Sequence, residues 1–210
     1  MKRFTGHMEP WGDFVDVKVN APEALRRQLR RAQKGSILIG TVTDPYQPAE
    51  KHYRITRGCL EALLERQFSV NILTRSSLVV RDIDLFGHFE DISVGLSVTT
   101  DREEIKKIFE ASSPSIKSRV EALKALHEKG IPTYAFIGPM LPLDPGKLFE
   151  MLTCVVDEVL IDRLNYSNKV KSIYRKAGYA AYLEDAYFIQ TASILKESFE
   201  KKGIPVSVIF

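Results

Sequence analysis

Residues 35–50 read GSILIGTVTDPYQPAE, and this stretch decides the fold. Ile37, Leu38 and Ile39 form a short apolar run between two glycines, the pattern of a strand buried in a core. The chain then turns polar through Thr41, Thr43, Asp44, Tyr46, Gln47 and Glu50, and is pinned by Pro45 and Pro48. A proline has no amide proton for a central ladder, so the strand has to stop here. A core strand that ends in hydroxyls, an amide and carboxylates is leaving the core for a ligand pocket. In parallel α/β folds the carboxyl ends of the strands carry the site.

Working outward, strand and helix signals alternate. Residues 13–19 (DFVDVKV) predict a first strand. Asn20, with Pro22 in the first turn, caps a helix reaching about Lys34. Residues 36–43 are a second strand, 50–67 a helix striped by Leu60, Leu63 and Leu64, and 68–74 a third strand. A short apolar and acidic piece, 78–86, leads to a fourth strand at 91–99. Thr100-Asp-Arg-Glu103 has the capping-box pattern of a helix start. Ser113-Pro114 opens a further helix, striped by Ile116, Val120, Leu123 and Leu126 and ended by Gly130 and Pro132. Residues 133–137 are a fifth strand, Asp144-Pro145 opens a helix to about Val156, and 158–164 are a sixth strand. A long helix over 184–202 and a last strand at 205–210 (PVSVIF) close the chain. Strands spaced by helices predict parallel βα units in a single α/β domain over 1–210.

Side chains alternate across a strand, so each strand has two faces. In the fourth strand, Ile92, Val94, Leu96 and Val98 share one face, and Ser93, Gly95, Ser97 and Thr99 the other. In the third, Ser69, Asn71, Leu73 and Arg75 share a face; in the first, Asp16, Lys18 and Asn20 do. Arg163 and Asn165 stand near the end of the sixth. The polar faces are expected to converge. Arg75 offers a planar fork for a carboxylate or phosphate. Asp44 and Glu50 suit an ammonium or ribose hydroxyls, while Gly95 and Ser97 leave room for a ligand near the backbone. Tyr134, Phe136 and the turn Gly138-Pro139-Met140 suit a planar ring. A nucleoside amino acid fits this set. A nucleotide phosphate is the competitor, but neither GxGxxG nor GxxxxGKS/T occurs.

The composition narrows the class. The chain has 210 residues, 44% of them apolar, and a formal charge of +3, which is too weak to argue for nucleic acid by itself. Its two cysteines, Cys59 and Cys154, lie far apart without CxxC spacing, which predicts reduced thiols and a cytoplasmic protein. The four histidines form no metal-binding pair, and no apolar run reaches the length of a membrane span. Arg26, Arg27, Arg30, Arg31 and Lys34 crowd one helix; such a patch could meet nucleic-acid phosphates, although no aromatic residues are interleaved for base stacking. Asp82 and Asp84 read as surface or capping acids. Trp11, Phe14 and Tyr46 are candidates for a substrate wall.

Five blocks, GTVTDPYQPAE, NILTRSSLVVRDIDLF, ISVGLSVTTD, GIPTYAFIGPMLP and DEVLIDRLN, resemble successive blocks of radical S-adenosylmethionine (radical SAM) enzymes of the spore photoproduct lyase-like, DNA repair photolyase subgroup. The resemblance runs from about Phe14 to the C-terminus. It implies a partial parallel (β/α) barrel, a 4Fe–4S cluster on a CxxxCxxC loop after the family's first strand, and reductive cleavage of S-adenosylmethionine to a 5′-deoxyadenosyl radical. It also implies a small-molecule cofactor site and a partner protein that donates electrons. Carried over by position, Thr41, Thr43, Asp44, Arg75, Ser97, Thr99, Gly138 and Pro139 are the cofactor-side residues. Lys18, Asn20, Tyr46, Gln47, Glu50, Asn71, Arg163 and Asn165 are the substrate-side ones.

The chain departs from the family in having no CxxxCxxC. The family places that motif shortly before a block like residues 1–11, so the chain is expected to be an N-terminally incomplete form lacking the first strand and cluster loop. Such a form should be inactive alone and unstable. The position of a hydrogen-donating cysteine in spore photoproduct lyase is taken by Thr41, whose O–H bond is too strong for that donation, which leaves the substrate open. Two hypotheses follow: a radical SAM enzyme that works only with its missing segment, or a cluster-free α/β protein that binds a nucleoside-like ligand or a partner without catalysis.

Overall fold

A computed structural model describes residues 6–10, 12–165 and 167–210. Its centre is one sheet of parallel strands: β1 (Ser36–Ile39), β2 (Ser69–Thr74), β3 (Ile92–Ser97), β4 (Thr133–Ile137), β5 (Glu158–Ile161) and β6 (Val206–Val208). The strands lie side by side in chain order, β1 to β6. A doubly wound sheet reverses its order at a switch point; an order that never reverses belongs to a (β/α) barrel. Among the described residues the sheet remains open, with β1 and β6 as its edges, so the barrel is partial.

The helices are α1 (Ala21–Leu29), α2 (Glu50–Tyr53), α3 (Ile55–Leu64), α4 (Ile83–Phe86), α5 (Glu103–Phe109), α6 (Ile116–His127), α7 (Pro145–Leu152), α8 (Lys171–Lys176) and α9 (Asp185–Glu200). A 3₁₀ segment, Ser77–Asp82, leads into α4. Among the described residues no helix is long and apolar enough to cross a membrane.

The register aligns two rows of side chains. One row, Ile72, Val94 and Leu96, Ala135 and Ile137, Val159 and Ile161, is fully buried and joins Leu60, Leu63, Leu123, Leu148 and Leu195 from the helices in the main core. The other row runs Leu38–Asn71–Ser93, then Leu73–Gly95–Tyr134–Glu158, then Ser97–Phe136–Leu160–Ser207, along the inner face.

The structure corrects several expectations. Residues 13–19 form no strand: the alternation is present, but no described neighbour offers them an edge to pair with. The segment instead turns at Val19 and Ala21 into α1. The helix expected at 50–67 is broken at Arg54, whose φ is +50°. The cause is Glu50, whose buried carboxylate accepts the amides of Thr56 and Arg57 and so caps α3 from the preceding turn. The capping box at 100–103 does not close either. The Thr100 hydroxyl donates to the Pro142 carbonyl and accepts from the Arg102 amide, while the Glu103 carboxylate takes the Ile116 and Lys117 amides at the start of α6.

Candidate functional site

The loop leaving β1 is held in place by the protein's own contacts. Gly40 turns the chain at φ +113°, and a Cβ there would stand 2.0 Å from the Leu73 carbonyl oxygen, so only glycine allows the loop to cross β2 so closely. Asp44 then ties the loop to the end of β2. Its Oδ1 accepts the Tyr46 amide (2.9 Å) and the Thr74 hydroxyl (2.5 Å), and its Oδ2 accepts the Arg75 amide (2.8 Å).

Beneath the loop lies an ion cluster that the sequence did not suggest. Asp82, expected as a surface or capping acid, is fully buried and makes no side-chain cap. It accepts from Arg57 Nη1 (3.0 Å), from Arg81 Nε and Nη2 (2.9 and 2.8 Å), and from the Tyr46 hydroxyl (3.1 Å). Arg81 also donates to the carbonyl and carboxylate of Glu50. Burial, then the Asp82 charge, pushes the Tyr46 phenol far up, so it stays protonated. Asp84, by contrast, is exposed and pairs with Arg57. Tyr46 and Glu50 were expected to face a substrate. At 1% and 5% exposure they face inward and lock the loop onto α3, because a buried charge needs paired donors more than a ligand does.

At the carboxyl ends of β2 and β3 the groups are freer. Arg75 is half exposed; its Nε donates to Glu110 Oε1 at 3.0 Å, and its two Nη atoms have no partner among the described residues. The other oxygen of Glu110 accepts from Arg119 Nη2 at 2.7 Å, and Arg119 Nη1 donates to the Ser97 carbonyl at 2.9 Å. Ser97 is 2% exposed, and Thr99 is fully buried with a hydroxyl that has no partner among the described residues. Sequence reasoning passed over Glu110 and Arg119, although a signal existed. Arg119 falls on the apolar stripe of α6, three residues after Ile116 and four before Leu123, and a charge on a core stripe implies a buried partner.

The inner face further down is filled. The room expected at Gly95 is occupied by the Tyr134 ring, against which a Cβ would stand at 2.2 Å. Tyr134 bonds the Asn71 side chain (2.6 Å) and the Ile72 carbonyl (2.9 Å), and Asn71 bonds Ser93 (2.8 Å). A phenol has one proton. It goes to Asn71 Oδ1, with the Ile72 carbonyl as a second acceptor within reach, and Asn71 Nδ2 donates to the Ser93 hydroxyl. Asn71, expected on the substrate side, is thus committed to this plug. Gly138, joined to Pro139 by a cis peptide, lies under the Phe136 ring, where a Cβ would stand at 2.5 Å.

The remaining candidates stand on several elements. Thr41 and Thr43 are exposed on the loop after β1, and Gln47 is half buried in its turn. Lys18 and Asn20 are exposed beside α1 rather than on a strand, and Asn20 makes no side-chain cap. Arg163 and Asn165 lie beyond β5, which stops at Ile161. Arg163 faces Asp185 at 3.4 Å and the Phe210 ring, and Asn165 donates to Asp162. Of the aromatic wall, Trp11 lies outside the described residues and Phe14 stacks on His7. The basic patch is partly neutralised, with Arg26 on Glu65 and Arg27 beside Glu23.

A 4Fe–4S cluster does not fit these residues. Cys59 is half buried in α3, its thiol pushed up by burial, and Cys154 is exposed after α7. Among the described residues no group of His, Cys, Asp and Glu could hold a metal ion. A nucleoside amino acid does fit. Two uncommitted guanidinium nitrogens and an unsatisfied buried hydroxyl stand at neighbouring strand ends, which is the donor set such a ligand needs.

A family model, the Radical SAM superfamily, matches residues 5–155. An uncharacterized protein of Methanocaldococcus jannaschii, MJ0683, is 42% identical over 132 residues, covering 63% of this chain and 49% of that one. The uncharacterized protein Rv2578c of Mycobacterium tuberculosis is 31% identical over 153 residues, covering 68% and 45%. The chain spans about half the length of the curated relatives it matches. Among solved structures, Streptococcus suis SuiB bound to S-adenosylmethionine superposes with a TM-score of 0.60 at 14% identity, over 94% of this chain and 45% of SuiB. A variant of spore photoproduct lyase gives 0.60 at 12%, over 91% and 67%. At such identities these two bear on the fold alone.

Proposed function

Because the chain belongs to the radical SAM superfamily, we propose that it forms the nucleoside-holding part of a radical SAM enzyme and binds S-adenosylmethionine at the carboxyl ends of β1 to β4. Arg75 takes the carboxylate through its free Nη atoms. The hydroxyls of Thr41, Thr43, Ser97 and Thr99 take ribose and amino groups, and the Gly138-Pro139 turn borders the adenine. Asp44 acts one step back, holding the Arg75 amide and hence the strand end. When bound, such a ligand would supply a hydrogen-abstracting adenosyl group once one electron from a reduced cluster breaks its C5′–S bond and releases methionine. The thiolates for a cluster have to come from outside this chain, whose two cysteines cannot supply three. The electron would come from a separate donor protein, and the substrate is left open.

The observation that carries this reading is the state of Arg75: fixed through Nε on Glu110, half exposed, with both Nη atoms uncommitted among the described residues. An arginine held only for stability would be expected to spend its fork on the protein. The test is calorimetric titration of the purified chain with S-adenosylmethionine at low ionic strength, followed by anaerobic iron–sulfide reconstitution of an upstream-extended form. We expect the chain to bind, and 5′-deoxyadenosine release to require the extension. Absence of any binding by the chain overturns the proposal.

The separation of the two cysteines favours a second reading, a cluster-free nucleoside binder without catalysis. It predicts binding by the chain but no 5′-deoxyadenosine from the extended, reconstituted form.

A further inference from the structure

Arg119 is a fully buried cation, yet it pairs with a carboxylate that another arginine shares. Burying an ion pair rarely adds stability compared with an apolar packing of the same volume. The pattern of bonds suggests another use. Arg119 spends its fork on fixed points: Nε and Nη2 on the Pro114 carbonyl (3.1 and 3.0 Å), and Nη1 on the Ser97 carbonyl at the end of β3. Its Nη2 also holds Glu110 Oε2. Glu110 follows α5, its amide bonded back to the Lys106 carbonyl, and its free oxygen reaches Arg75 at the end of β2. One ionic chain, Ser97–Arg119–Glu110–Arg75, therefore ties two neighbouring strand ends together. Burial alone would push the Glu110 carboxyl up; the Arg119 and Arg75 guanidiniums outweigh this and hold it below the usual range, so it is charged at neutral pH.

We propose that Glu110 and Arg119 are positioning residues that aim the anion-binding fork of Arg75 at the strand-end pocket. The inference rests on the reading of that pocket as a nucleoside amino acid site. Holding Nε leaves a flexible side chain few rotamers, so its Nη pair meets a carboxylate with little entropy left to lose. Glu110 and Arg119 touch no ligand themselves.

The experiment uses two probes that share the adenosine and thioether but differ in the amino-acid end, S-adenosylhomocysteine and 5′-methylthioadenosine. Their affinities for the full chain are compared by calorimetry. The wild type should prefer S-adenosylhomocysteine. Glu110→Gln should cut that preference about tenfold, the scale of one charge-assisted contact, and leave 5′-methylthioadenosine binding unchanged. In an Arg75→Ala background, Glu110→Gln should have no further effect on the preference, since it acts through Arg75. A merely structural Glu110 would weaken both probes alike, and that result overturns the inference, as does an unchanged preference. If Glu110→Gln does not fold, Glu110→Asp, which keeps the charge beside Arg119, carries the same test. A wild type that binds both probes equally refutes the carboxylate role of Arg75 and this inference with it. Binding of neither probe refutes the nucleoside reading itself.

Discussion

Asp44 accepts the backbone N–H of Arg75 at 2.8 Å, which ties the loop after β1 to the end of β2. Its other oxygen takes the Thr74 hydroxyl and the Tyr46 amide. Asp44→Asn would turn an amide NH₂ toward one of these donors. We expect a loss of about 1–3 kcal/mol, the penalty for an unsatisfied buried donor, measured as a lower urea midpoint with unchanged m-value.

The cluster around Asp82 should rank its members. Asp82→Ala removes the acceptor that Arg57, Arg81 and Tyr46 share, leaving Arg81 on Glu50 and Arg57 on Asp84, and should cost about 1.5–3 kcal/mol. Tyr46→Phe leaves both arginine pairs of Asp82 in place and should cost about 1 kcal/mol. Equal losses in thermal or urea unfolding would contradict the assignment of Asp82 as the centre.

Acid should weaken the strand-end chain. Burial raises the Glu110 pKa, and Arg119 and Arg75 lower it by more, so the folded value lies below the ordinary one of 4.5. The unfolded chain then binds the proton more readily. The stabilising contribution is complete above about pH 4.5 and is lost as pH falls through the folded value. Urea midpoints measured from pH 7 to pH 3 should fall across this window, and Glu110→Gln should flatten part of the fall.

Gly95 and Tyr134 should be coupled. A Cβ on residue 95 would stand 2.2 Å from the phenol ring, so Gly95→Ala should cost about 1–3 kcal/mol through overpacking. In a Tyr134→Leu background the same change should cost markedly less, a non-additivity readable from a double-mutant cycle in thermal unfolding.

The β1 edge should make the chain associate. Leu38 is 53% exposed on an unpaired edge strand, and an apolar cavity of about 230 Å³ lined by Leu25, Ile37, Ile39, Ile55, Thr56, Cys59 and Leu63 opens beside it. A row of open backbone groups next to an apolar hollow is a template for a second chain. Leu38→Lys should raise the concentration at which light scattering appears, with little change in the unfolding midpoint.

Most of the sheet was legible because a parallel strand under helices must alternate or run apolar, and the strand at 133–137 matches its predicted bounds. Residues 13–19 alternate equally well and form no strand. Periodicity describes one chain segment, whereas a ladder needs a neighbour. The same limit explains Asp82 and Asp84: two residues apart, they read alike, yet one is buried among arginines and the other is in water.

The amino-acid order by itself determined the α/β class, the sequence of strands and helices, the family blocks and the polar ends of the strands, since these depend on residues within one helical turn or one strand. Tertiary structure alone decided which polar groups remained free. Asp44, Tyr46, Glu50 and Asn71 were drawn into the protein's own hydrogen bonds, while among the described residues Arg75 kept two nitrogens open and Thr99 an unsatisfied hydroxyl. The physical reason is that a buried polar group takes whatever partner packing brings within about 3 Å, and that partner is set by distant segments meeting in space.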